Sequence, residues 1–220
     1  MSQSSLRTAD PRLVLATRNA HKVVELREIL ADALHRTGLS LVGVEDFPQV
    51  GEVVESGVTF AANALLKARA TVQATGLPAL ADDSGLAVDV LGGSPGVFSA
   101  RWSGVGGPAK DTTSKDSANN ELLLAQLADV PEEHRGAGFV CAAALVTPDG
   151  TEIVREGSVR GVLTRAPRGS GGFGYDPLLE LPDGRTLAQY SSAQKHAVSH
   201  RGAAFRALAT DLAQALAPVG

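Results

Sequence analysis

Of the 220 residues one is cysteine, one methionine, one tryptophan and two are tyrosine, and aromatic residues make up only 4%. A single cysteine, Cys141, excludes an internal disulfide and cannot supply a thiolate zinc cluster. Long apolar runs are missing too. The longest, Phe139 to Val146, is far too short to cross a bilayer. Residues 1–10 are polar and carry no apolar stretch of the kind a secretory signal needs. There is no surplus of positive charge, since 20 basic against 24 acidic residues give −4. The basic face that duplex nucleic acid requires is therefore not expected. A few cations gathered in one cleft would still serve a small anion. These absences predict a cytoplasmic chain that binds neither membrane nor nucleic acid.

What is present is an ordinary globular balance, 44% hydrophobic and 20% charged. The length fits one large domain or two lobes sharing a core. We expect residues 1–10 to form a disordered N-terminal arm, with Pro11 as a stop, and residues 11–220 a single two-lobed domain. With so few aromatics, the core must be built from Val, Leu and Ala.

Apolar spacing predicts strands at Leu13–Ala16, Leu39–Val44, Val50–Val54, Pro78–Ala81, Phe139–Thr147 and Ile153–Val162. Helical spacing runs through Val23, Leu26 and Leu30, with Asn19 or a neighbour as cap. It recurs over Thr59–Ala74, Asn119–Leu127 and Arg201–Leu216. Pro148-Asp149-Gly150 marks a hairpin, while residues 104–115 and 165–174 read as loops. The pattern implies an α/β fold, a mixed twisted sheet flanked by helices.

Four segments could carry chemistry. Thr17-Arg18-Asn19-Ala20-His21-Lys22 joins a strand to a helix. It is either an anion site built on free backbone N–H groups and Lys22, or an ordinary capped helix. Asp82-Asp83-Ser84-Gly85 stands at the predicted end of a strand, with Leu86–Val90 as its alternative extension. An oxygen ligand there suits magnesium, but an Asx-type turn uses the same residues. Successive side chains alternate, so only one aspartate should face a given cleft. Gly169-Ser170-Gly171-Gly172-Phe173-Gly174 matches the dinucleotide fingerprint in letters alone. No strand precedes it and Pro177 disfavours a helix after it, so the nicotinamide reading fails. Phe173 remains as a ring that either stacks on a base or anchors the core. Last, Ser199 can cap the final helix, which puts His200 and Arg201 in a first turn where the dipole disfavours cations. A ligand bearing a carbonyl or negative charge would explain them, as would a solvated basic stretch. His196 reads as exposed. Asn63 and Lys67, four apart, share a helix face. No Ser-His-Asp order and no HExxH pattern is present.

Together these segments resemble the inosine triphosphate pyrophosphatase family. The likeness is carried by Leu15–Lys22, Phe60–Ala68, Ala81–Leu86 with Gly92–Gly96, Gly171–Pro177 and Ser199–Gly202, in the family's order. The resemblance implies a two-lobed fold with a central active-site cleft, a Mg2+ cofactor and a homodimer. It implies hydrolysis of non-standard purine nucleoside triphosphates (XTP, ITP, dITP) to monophosphate and pyrophosphate. By the same likeness Thr17, Arg18, Asn19, Ala20, His21 and Lys22 hold the triphosphate with Lys67. Asp83 binds the metal and accepts the proton of the attacking water, and Ser84 touches substrate. Phe173, Gly174, Tyr175 and Asp176 wall the base pocket, which Lys195, His200 and Arg201 complete; Arg101 is a weaker carry-over. Three positions depart from the family pattern: Gln49 after Pro48, Gln189, and Ala193-Gln194 before the late lysine. The second metal carboxylate is then sought among Glu45, Glu52 and Glu55. The competing readings are a house-cleaning pyrophosphatase with another base preference and a nucleotide-binding module that does not hydrolyse.

Overall fold

The computed structural model describes residues 12–18, 20–104 and 112–216. The expected arm over residues 1–10, the cap Asn19 and most of the predicted 104–115 loop lie outside the described residues. The chain runs β1 (Arg12–Leu15), α1 (Ala20–Ile29), α2 (Ala31–Thr37), β2 (Ser40–Gly43), α3 (Phe60–Thr75) and β3 (Ala79–Val88). It continues through α4 (Thr112–Gln126), β4 (Gly136–Val146), β5 (Glu152–Leu163), β6 (Leu179–Glu180), α5 (Ser192–Val198) and α6 (His200–Ala215).

The six strands form one mixed sheet in the order β2-β1-β3-β4-β5-β6. The first three are parallel and the rest antiparallel. This is the α/β sheet with flanking helices that the spacing implied. Its long strands β4 and β5 are joined at the predicted Pro148-Asp149-Gly150 turn, where Gly150 adopts φ 89.

Local chemistry sets the helices. Thr59 caps α3 by accepting from the Ala62 N–H, and Gly76 closes it in the left-handed region. The buried stripe of α3 is alanine, Ala64 and Ala68, laid on Ala81, Ala142 and Ala144 of the sheet. Small residues on both surfaces let helix and sheet approach closely. On the opposite face α1, α2 and α6 bury Leu26, Leu30, Phe205 and Leu208 against Leu13, Leu15 and Leu80. A further cluster gathers α4 with Leu86, Phe139, Leu163 and Leu178.

Three expectations need correction. Residues 112–115, expected as loop before a helix from Asn119, already belong to α4. Val50–Val54 is not a strand. Val50 is buried beside Val44 and Phe47 while Val54 is 79% exposed, and among the described residues the segment pairs with no strand. Asp82-Asp83-Ser84-Gly85 does not end its strand either. β3 continues through it because β4 pairs with all ten positions, from Ala79↔Val146 to Val88↔Ala137. What ends there is the neighbour: β1 pairs with β3 only at Ala79 and Leu80. The β1 side of β3 is thus uncovered from Ala81 until Ser99 and Ser94 take it up at Leu86 and Val88, which opens a crevice beyond the end of β1.

Candidate active site

A cleft of about 1720 Å³ opens at that crevice. It exceeds the roughly 300–1,000 Å³ of most small-ligand sites, so a base, a sugar and a triphosphate fit along it. Of the residues assigned to the site by the resemblance, Thr17, Arg18, Lys22, Lys67, Asp83, Ser84, Phe173, Gly174 and Arg201 line it, as does the weaker carry-over Arg101. The Ser84 strand and the Phe173 loop therefore share one cavity.

The tail end is built where β1 hands over to α1. Thr17 N–H donates to the Leu15 carbonyl at 2.8 Å, turning the chain sharply before the helix. The first turn of α1 holds no acidic residue, so its N-terminal N–H groups keep their attraction for anions. Ala20 and His21 open this helix, and their side chains are not described. Arg18 donates to the Val50 carbonyl at 2.7 Å, which pins the Val50 segment along the mouth of the cleft.

Alternation along β3 sends Asp82 and Asp83 to opposite faces, as expected, yet both line the cleft because the cavity wraps the uncovered edge. Asp82 turns toward α1 and α6, accepting from Lys22 Nζ at 2.8 and 3.0 Å and from Arg201 Nε at 3.2 Å. Burial pushes its carboxyl up, but Lys22, Arg201 and Lys67 outweigh that and hold it well below the usual range. Asp83 turns toward α3, accepting from Asn63 Nδ2 at 3.0 Å, with Lys67 Nζ 3.6 Å away. Its pKa moves up instead, because burial outweighs Lys67 and Asn63. Lys67 also donates to Glu55 at 2.7 Å. Burial lowers the lysine's pKa while Asp82, Asp83 and Glu55 raise it, and the carboxylates prevail.

The other end of the cleft is the Phe173 loop. Phe173 is 37% exposed, and Lys195 Nζ and Arg201 Cζ lie 4.7 and 5.4 Å from its ring centroid. Both lie within the distance of a cation–π contact. The ring is thus a partly open surface with cations beside it. Gly174 is held from α4, its N–H donating to Asp116 at 2.7 Å and its carbonyl accepting from Asn120 at 3.0 Å.

Tyr175, Asp176, Lys195 and His200 stand behind the wall and do not line the cavity. Tyr175 donates its hydroxyl to the Ser99 carbonyl at 2.9 Å. Asp176 accepts from the Phe173 N–H at 2.8 Å and pairs with Lys195. His200 is buried and stacks on Phe139 at 4.8 Å. Burial, then Arg201 and Lys195, push its pKa well below the ordinary value, so the ring is neutral. Ser199 caps α6 by accepting from the Gly202 N–H at 3.0 Å, as its position predicted. Arg201 is 1% exposed and spans Asp82, Glu25 at 3.2 Å and Ser84 at 3.0 Å. His196 is not simply exposed. Its Nδ1 lies 3.1 Å from Glu28 with 17% of the side chain accessible, because α5 folds back onto α1.

The second-carboxylate search narrows as well. Glu52 and Glu55 line the cleft, whereas Gln49 and Glu45 are exposed and do not. Sequence reading did not assign Asp82, Glu25, Asp116 or Asn120. Asp82 was signalled by its motif, but the other three meet the site only through the fold.

Comparison with known proteins agrees with the geometry. The sequence profile of the Ham1 family matches residues 13–211. A dITP/XTP pyrophosphatase of Streptomyces coelicolor is 60% identical over 201 residues, which is 90% of this chain and 94% of that protein. The structure of a HAM1 protein from Coxiella burnetii superposes with a TM-score of 0.80 at 36% identity, covering 92% of this chain and 98% of that one. The crystal structure of a nucleoside-triphosphatase / dITP/XTP pyrophosphatase from Mycobacterium abscessus gives 0.71 at 50% identity, covering 91% and 98%. The resemblance carried by the five motifs is thus borne out, and the chain belongs to the Ham1 family.

Proposed function

We propose that this protein hydrolyses non-standard purine nucleoside triphosphates (XTP, ITP and dITP) to the monophosphate and pyrophosphate, keeping them out of DNA and RNA. One observation carries the reading. A desolvated carboxylate with raised pKa, Asp83, shares one cleft with two lysines and a partly open aromatic ring. The relatives' names point the same way.

The triphosphate lies along residues 17–22 at the start of α1, with Lys22 and Lys67 facing its oxygens. Asp83 and Glu55 are hard oxygen donors close to one lysine, a set that suits magnesium. Bound there, the ion would neutralise phosphate charge and lower the pKa of a nearby water. Asp83 accepts the proton of the water that attacks the α-phosphorus. The bond from that phosphorus to the α–β bridging oxygen breaks, and pyrophosphate leaves with its growing charge stabilised by Lys22, Lys67 and the helix N-terminus.

The purine stacks on Phe173 beside Gly174. Arg201 donates to its 6-keto oxygen from N–H groups not used by Asp82, Glu25 and Ser84. Ser84 touches the substrate on the same side. Tyr175, Asp176, Lys195 and His200 keep this wall in shape from behind. Adenine offers an amino group where hypoxanthine offers a carbonyl. Donor then meets donor, a buried mismatch worth several kcal/mol or about a thousandfold in selectivity. The same reading places the enzyme in the cytoplasm as a homodimer.

The test is pyrophosphate release from XTP, ITP and dITP beside ATP and GTP, with and without magnesium. Magnesium-dependent turnover of the first three at far higher kcat/KM is expected. Equal rates on ATP, a preference for modified pyrimidine nucleotides, or binding without turnover would overturn it.

A further inference from the structure

Asp82 carries out no step in the reaction described above, yet it is the most enclosed carboxylate of the cleft, its side chain 1% exposed. Its two oxygens accept from Lys22 Nζ at 3.0 and 2.8 Å, and one of them also accepts from Arg201 Nε at 3.2 Å. These two cations belong to opposite ends of the proposed substrate, Lys22 to the phosphate tail and Arg201 to the keto purine. They also differ in freedom. Lys22 keeps 17% of its side chain accessible, whereas Arg201 keeps 1% and is tied to Glu25 and Ser84 as well.

We propose that Asp82 is a positioning residue that couples the two halves of the site, so that a bound phosphate tail strengthens binding of the keto purine and the converse. The inference rests on the functional reading above. When phosphate oxygens arrive, the more accessible ammonium turns toward them. Asp82 then loses one of its two hydrogen-bonded cations in a region closed to water, where an uncompensated charge is costly. Its attraction is left to Arg201, which is drawn harder against Ser84 and beside Phe173. The guanidinium is thereby fixed for the purine before the purine binds. Linkage makes the effect reciprocal: a purine that holds Arg201 in place makes Lys22 easier to release.

The two ends can be supplied separately. Inorganic tripolyphosphate and inosine are titrated calorimetrically, alone and in each other's presence, at fixed ionic strength with a chelator present. The wild-type protein is expected to bind inosine roughly 5-fold or more tightly when tripolyphosphate saturates the tail site. In Asp82→Asn this factor falls to about one, while tripolyphosphate alone binds at least as tightly as before, because Lys22 no longer has to leave the Asp82 carboxylate. A merely architectural role for Asp82 would weaken both probes together and keep their factor.

Independent binding of the two probes to the wild type, or an unchanged factor in Asp82→Asn, overturns the proposal. If Asp82→Asn does not fold, Lys22→Met, which leaves Arg201 as the cation hydrogen-bonded to Asp82, must lose the factor in its place. Failure of the wild type to bind either probe overturns the nucleotide reading itself, and the coupling with it.

Discussion

Asn63 holds Asp83 by one oxygen. Its Nδ2 donates to Asp83 Oδ2 at 3.0 Å, while its own Oδ1 accepts the Gly57 N–H at 2.8 Å. The second bond fixes which way the amide faces, because a flipped amide would set donor against donor. Asp83 Oδ1 is left on the cleft side, nearest Lys67. A buried carboxylate kept basic and aimed by a neighbouring amide has the form of a general base.

Asp83→Asn is therefore expected to fold normally, because the new carbonyl can still accept from Asn63. Turnover of ITP should fall by about 100- to 10,000-fold, the usual worth of a positioned base, or further. Steady-state kinetics beside a thermal melt checks both halves. Near-normal turnover in a folded variant would remove Asp83 from its role.

Arg201 neutralises Glu25 and Asp82 at once while 1% exposed. Arg201→Ala strips Glu25 of that partner inside the protein and leaves Asp82 to Lys22. Breaking a buried pair in this way costs about 3–5 kcal/mol. Urea unfolding should show a loss of that order, so base preference is better read from Arg201→Lys. A loss below about 1 kcal/mol would mean that the network tolerates the missing charge.

Buried His200 is neutral because its pKa lies well below the ordinary value. The unfolded chain takes up this proton near pH 6.5 and the folded chain only well below it. Stability from this group is therefore complete above about pH 6.5 and declines as pH falls, by up to about 1.4 kcal/mol per pH unit. Unfolding free energies from pH 7.5 to 5 should fall more steeply in the wild type than in His200→Gln. Parallel curves would show that His200 is protonated in the fold.

Phe173 presents its ring to the cleft with cations beside it. Base stacking on an aromatic is worth about 1–3 kcal/mol. Phe173→Ala should thus lower kcat/KM for ITP by roughly 5- to 150-fold, mostly through KM, whereas Phe173→Trp should retain most of it. An unchanged KM in Phe173→Ala would place the base elsewhere.

Chemistry at this site was legible wherever short-range rules govern. The cap Ser199, the helix holding Asn63 and Lys67, the hairpin at Pro148–Gly150 and the alternation of Asp82 and Asp83 all follow from neighbours in the chain. The Val50–Val54 expectation failed because alternating valines state a preference for extended backbone, and a strand also requires a partner ladder. The expected end of β3 at Asp82 failed for the reverse reason. The turn-forming Asp-Asp-Ser-Gly stretch is carried through as strand by ten paired positions on β4.

The sequence alone determined the type of elements, the stripes they bury and the residue types able to hold phosphate, metal and base, since these depend on side-chain chemistry and on the periods of helix and strand. Packing in three dimensions set β1 to stop while β3 continues, which uncovers the edge where both aspartates meet one cleft. It also decided that Glu25, Asp82, Ser84 and Arg201 close a single network across 176 positions of chain, and that Asp116 and Asn120 grip Gly174 from α4. Such contacts are set by how helices seat on the sheet, as where Gly157 lets α6 come so near β5 that an added Cβ would lie 2.3 Å from the His200 carbonyl. That seating is a property of packing, and no local stretch of sequence encodes it.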